Sequence, residues 1–237
     1  MKVSATASSG PTMGGGGMGN STPPTPYTGG HAMPTGFNIG ATFRHAIDLV
    51  KSPASVMTAY RDADVPINSV LIYYVAVLAV LTLVGTLIGD LIIYRGLYGF
   101  FAGYAVGHAI LSFILDIIGV FVIGFVVWKL GPNFRTSTNQ VRATRLAAYA
   151  YTPFFLASIL YIIPFVGGIL AFLGLLYGLY ILYLGLPIML GTPQEQAITY
   201  VIVSVIVVIV VYAVLAAIAG AILLAAFGLG FGLGYIF

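Results

Sequence analysis

The chain has 237 residues, of which 60% are hydrophobic and only 6% charged, and its mean hydropathy is +1.06. Soluble domains carry about 45–50% apolar and about 25% charged residues, so composition excludes an ordinary soluble domain and points to a polytopic membrane protein. The net charge of +3 comes from basic residues beside hydrophobic stretches, which fits membrane orientation rather than nucleic-acid binding. The lack of cysteine removes disulfides, thiolate metal sites and thiol lipidation.

Residues 1–40 are a low-complexity tail with Gly14 to Gly17 in a row and Pro23-Pro24-Thr25-Pro26. Such a stretch buries too little apolar surface to offset its ordering entropy, so it reads as disordered. With no continuous apolar run over 3–30, a cleaved signal peptide is not expected. Residues 41–66 change character. Phe43, Ala46, Ile47 and Val50 recur at the spacing of one helix face, with Arg44, Asp48 and Lys51 on the rest. Ser52-Pro53 then reads as a cap and first turn opening a second short helix, with Val56, Met57 and Tyr60 as its apolar side. The expectation is two amphipathic helices in the headgroup region, and a helical hairpin folded against the bundle is the alternative.

Residues 67–227 hold five apolar stretches of about the length that crosses a bilayer, roughly 20 residues. They run from Asn68 to Tyr94, His108 to Trp128, Leu146 to Ile163, Ile169 to Leu190 and Ala197 to Phe227. The polar stretch Asn133 to Arg145 reads as the loop between spans two and three, and Pro164 to Gly168 as a tight turn. Arg95 to Gly107, with Gly99, Gly103 and Gly107 at spacing four, fits an interfacial helix, a re-entrant segment or an early start of span two. Residues 228–237 form a Gly-rich apolar tail, expected on the membrane surface. The fold class is therefore an all-α five-span bundle with N-terminal interfacial helices. Lys2, Arg44, Lys51, Arg61, Lys129, Arg135, Arg142 and Arg145 fall on one side and Arg95 on the other. The positive-inside rule then puts the N-terminus in the cytoplasm and the C-terminus outside.

At about 100° per residue, Gly167, Gly174, Gly178 and Gly185 form one stripe on span four, and Thr82, Gly85, Thr86 and Gly89 form another on span one. Small-residue stripes let helix backbones approach closely, within a chain or between copies. Asp116 sits near the middle of span two, where an ionised carboxylate costs at least about 2.5–3.5 kcal/mol. It shares a face with His108, Ser112 and Gly119. It reads as a buried hydrogen-bonded acid, partnered by Ser112 or a span-three tyrosine, or as part of a proton or cation pathway. Asp90 lies near the outer end of span one, with Arg95 and His108 as plausible neighbours. Pro153 falls inside span three, where it cannot donate to the Tyr149 carbonyl and should kink the helix. No hydrolase, zinc-protease, P-loop or dinucleotide motif is present. An aspartyl intramembrane protease would need glycine where Leu87 stands, and tyrosine rather than Leu115 before Asp116. Three scattered histidines give no metal-ligand spacing, so no cofactor, metal or enzymatic activity is expected.

Tyr151-Thr152-Pro153, the Ile163 to Gly168 turn, the Leu176 to Pro187 segment rich in Tyr, Gly and Leu, and Thr192 to Ala197 together resemble the Yip family of Rab-interacting membrane proteins, its prokaryotic members above all. The resemblance covers roughly residues 43 to 225. It implies five spans, a cytoplasmic N-terminus and a scaffold or adaptor role in membrane organisation or trafficking. Eukaryotic members bind prenylated small GTPases. That partner is not carried over, because the acidic Asp-Leu-x-Gly-Pro element has no counterpart here. The remaining expected partners are the lipid bilayer and a second copy or another membrane protein. The alternative function is a small transporter or channel subunit using the polar face around Asp116.

Overall fold

A computed structural model describes residues 38–63, 66–93, 100–136, 139–163, 165–223 and 225. The tail over 1–37, the stretch 94–99 with Arg95, and the Gly-rich end from 226 lie outside the described residues. Within them the chain is helical without strands. Helix α1 (Ile39–Lys51) and helix α2 (Pro53–Tyr60) precede five membrane-crossing helices. These are span one (Ile67–Ile92), span two (Ala102–Phe134), span three (Gln140–Ile162), span four (Val166–Leu190) and span five (Gln194–Leu223).

Several boundaries move for local reasons. The second helix is already formed at Phe100, so the described part of the 95–107 stretch is the early start of span two. Span three begins at Gln140, because the Asn139 side chain accepts from the Arg142 amide and caps the helix. Arg142 and Arg145 are therefore helical, not loop, residues. Span four closes with Gly191 at φ 70, its N–H on the Pro187 carbonyl, a left-handed cap that suits glycine. Span one contains a π-helical segment, Val70–Val75. The helix of span three continues through Pro153.

Span three is the core of the bundle. Ala143 to Phe155 is buried almost without interruption except Ala150, and the helix packs on spans one, two and four and on α1. Both glycine stripes turn toward it. A Cβ on Gly85 would strike the Ser158 carbonyl, and one on Gly89 the Tyr161 carbonyl. On span four, Gly167 meets Leu160, Gly174 meets Pro153 and Gly178 meets Ala150, in each case at the backbone. Glycine is needed because main chain, not a movable side chain, occupies the space. Gly185 instead makes room for Leu146 and for Met57 of α2. Span five is peripheral. It packs chiefly on span two, where the Tyr200 hydroxyl donates to the Val127 carbonyl and Tyr200 stacks on Phe134.

The hairpin of α1 and α2 folds against one end of the bundle. The buried stripe of α1 is Thr42, His45, Ala46 and Leu49. The apolar face read from the sequence, Phe43, Ala46, Ile47 and Val50, shares only Ala46 with this buried stripe, and Ile47 is 42% exposed. Hydrophobicity alone could not see that a histidine and a threonine find polar partners inside. Val56 and Met57 of α2 are buried. The loop between spans two and three and that between spans four and five share this end, joined by a Thr136–Thr192 hydroxyl bond of 2.9 Å.

Candidate functional site

Two polar constellations emerge, at opposite ends of the bundle. The first is a cavity of about 380 Å³ bounded by spans one and two and the far end of span three. Span one contributes Thr82, Thr86, Gly89 and Asp90, and span two contributes Asp116, Ser112 and His108. The helices run antiparallel, so spacing of three to four residues on each stacks these groups as rungs. Asp90 pairs with His108 at 2.7 Å from Oδ2 to Nδ1, and the His108 ring stacks on Tyr104. Thr82 lines the wall with Asp116, and its hydroxyl bonds that of Ser158. Between them stand Thr86 and Ser112. The eight helical steps from His108 to Asp116 span about 12 Å, so the cavity leads from the far end of the bundle toward its middle. Phe154 and Tyr161 of span three line it, with Phe165 at its lip. Phe165 holds φ 64, a strained conformation for a bulky residue, and its side chain is 91% exposed.

The deep end has a definite proton logic. The Ser158 hydroxyl donates to the Phe155 carbonyl at 2.8 Å and lies 2.8 Å from Thr82 Oγ1. Each hydroxyl has one proton to give. Since Ser158 gives its proton to the carbonyl, Thr82 gives its own to Ser158. Asp116 is only 8% exposed, and its Oδ2 has no hydrogen-bond partner. A buried polar oxygen left unpaired costs about 1–3 kcal/mol.

The four candidate polar residues read from the sequence thus line one cavity. Thr82 and Thr86 of span one join Ser112 beside Asp116 in that cavity, because the antiparallel register brings the two helices' polar faces together. His108 is the neighbour of Asp90, while Arg95 lies outside the described residues. Among the described residues no group of three or more His, Asp or Glu could hold a metal ion.

The second constellation was not legible as a site in the sequence. Arg145 is buried, at 1% exposure, and its guanidinium donates to the Ala63 and Arg61 carbonyls, both at 3.0 Å. Arg142 pairs with Asp62 at 2.7 Å. His45 lies 3.3 Å from the Tyr149 hydroxyl and packs edge-on against Tyr60 and Tyr74. Tyr74, on the π-helical turn, shares a 2.7 Å bond with Thr152. The Thr42 hydroxyl reaches the Tyr73 carbonyl at 3.2 Å, and the Tyr177 hydroxyl donates to Val50 at 2.8 Å. Together these bonds latch α1, α2 and the following turn onto spans one, three and four. The only sequence signal was an arginine three residues after another at the start of an apolar helix.

The family model described as Yip1 domain matches residues 47–218, from the middle of α1 to near the end of span five. The chain belongs to that family. It is 29% identical over 86 residues to "Inner membrane protein YohC" of Escherichia coli strain K12, and equally to the protein of that name from strain O6:H1. The match covers 35% of this chain and 44% of each relative, so the chain spans less than half the length of the curated relatives it matches. No solved structure matches.

Proposed function

We propose that this Yip1-domain membrane protein is a non-enzymatic scaffold that organises the bilayer and holds membrane partners. The observation that carries the reading is the latched α1–α2 platform. One face of α1 is spent on the bundle. The adjacent face carries Ile39, Phe43, Ile47 and Val50; Ile39 and Ile47 are exposed, Phe43 packs partly on the core, and Arg44 and Lys51 lie on the side away from the bundle. A helix with a free apolar stripe and flanking cations suits the interface of an anionic leaflet. A rigid bundle that presents such a surface is a scaffold's requirement, and no catalytic constellation competes with it among the described residues.

The platform shares its end of the bundle with the helix carrying Lys129 and with Arg135, Arg142 and Arg145. That asymmetry supports a cytoplasmic platform and an outward C-terminal end. The chain has no cysteine, so single introduced cysteines report topology cleanly. An impermeant thiol reagent applied to intact cells should label Phe165→Cys and leave Ala59→Cys untouched. The scaffold reading itself is tested by extracting the protein in native nanodiscs and weighing the particles. Assemblies with a second polypeptide, or further copies, in fixed ratio are expected. Particles holding one 25.0 kDa chain and no partner would contradict it.

A further inference from the structure

We propose that the cavity between spans one and two binds a primary ammonium group, with Asp116 as its counter-charge. The proposal is independent of the scaffold reading. Three observations converge on it. Asp116 is more than nine-tenths buried, lines the cavity and has an oxygen with no partner. The other carboxylate in the cavity wall, Asp90, is already paired with His108. The cavity, at about 380 Å³, holds far more than a single ion, since one water occupies about 30 Å³ in the liquid.

The lining chemistry selects among cations. An ammonium with three N–H donors matches three oxygens, and Asp116, Ser112 and Thr86 supply a carboxylate and two hydroxyls on facing helices. Phe154 and Tyr161 offer aromatic walls to the attached carbons and to the positive charge. A divalent metal is poorly served, because no group of three or more metal-ligating side chains forms among the described residues. The ammonium chemistry is offered by a free small amine and by the amine of an aminophospholipid headgroup, since the mouth opens at the end of the bundle where both are available.

The test uses the full chain in nanodiscs of phosphatidylglycerol, which carries no amine. Ethylammonium is added, and saturation-transfer NMR reads its binding. Tetramethylammonium, of equal charge without N–H donors, is the comparison. A second set of discs contains phosphatidylethanolamine, whose retention per chain is counted by native mass spectrometry. Ethylammonium binding at least about tenfold tighter than tetramethylammonium is expected, as is a loss of at least about tenfold in Asp116→Asn. Ser112→Ala should bind severalfold more weakly, with thermal unfolding confirming that both variants are folded. Retained phosphatidylethanolamine that displaces ethylammonium assigns the lipid as source, and undiminished ethylammonium binding in those discs assigns a free amine. Absence of binding by both probes overturns the proposal, and so does binding that Asp116→Asn and Ser112→Ala leave unchanged.

Discussion

Replacing single glycines by alanine along the seam between spans three and four should separate positions that look alike in sequence. A Cβ on Gly174 would sit 2.7 Å from the Pro153 carbonyl oxygen, 3.0 Å from its carbon and 3.1 Å from the Phe154 Cα. Ordinary contact begins near 3.4 Å, so the helices must part by about 0.7 Å. All three atoms are backbone, and no rotamer change relieves them. Overpacking of this kind costs about 1–3 kcal/mol. A gap of about 0.5–1 Å along the remaining seam forfeits a quarter to a half of each dispersion contact. Gly178 meets the Ala150 carbonyl still more closely, so Gly178→Ala should cost at least as much. Gly168 and Gly220 have nothing within 4 Å, and alanine there should change stability by no more than about 0.5 kcal/mol or raise it slightly. Unfolding in mixed micelles, titrated with denaturing detergent and followed by circular dichroism, measures the series. Equal stability of Gly174→Ala, Gly178→Ala and Gly220→Ala would refute the seam. The double Gly174→Ala/Gly178→Ala variant should cost less than its two singles together, because the helices part only once.

Arg145→Met removes two charge-assisted hydrogen bonds to carbonyls, each worth about 1.5–3 kcal/mol. It should raise amide exchange in α2 and the turn at Arg61 to Ala63 while spans four and five stay protected. Asp62→Asn breaks the exposed pairs with Arg142 and Arg61, and the same exchange measurement should register less than about 1 kcal/mol. Thr82→Val deletes the hydroxyl bonded to Ser158 and should destabilise by about 1–3 kcal/mol in micelle unfolding. Thr58→Val, at an exposed hydroxyl on α2, should leave stability unchanged.

The five spans were legible because bilayer thickness imposes a length that hydropathy reports directly. The shared face of His108, Ser112 and Asp116 was legible too, since it needs only the helical repeat. What lay beyond the sequence was register between helices. Nothing local to Asp116 says that Thr82, thirty-four residues earlier, stands opposite it. The same limit hid the platform latch. Arg145 reads as a loop charge until Asn139 caps the helix before it and the chain returns Arg61 and Ala63 to its guanidinium. The bundle-facing stripe of α1 was hidden because His45 and Thr42 count as polar, yet Tyr149 and the Tyr73 carbonyl satisfy them in the interior.

Amide hydrogen exchange of the full chain in nanodiscs tests the docked platform, on which the scaffold reading rests. The account predicts that amides of Ala46 to Tyr60 exchange as slowly as those in the middle of span four, with protection lost in Arg145→Met. Exchange of α1 and α2 at the rate of an unstructured peptide, with the spans fully protected, would contradict it.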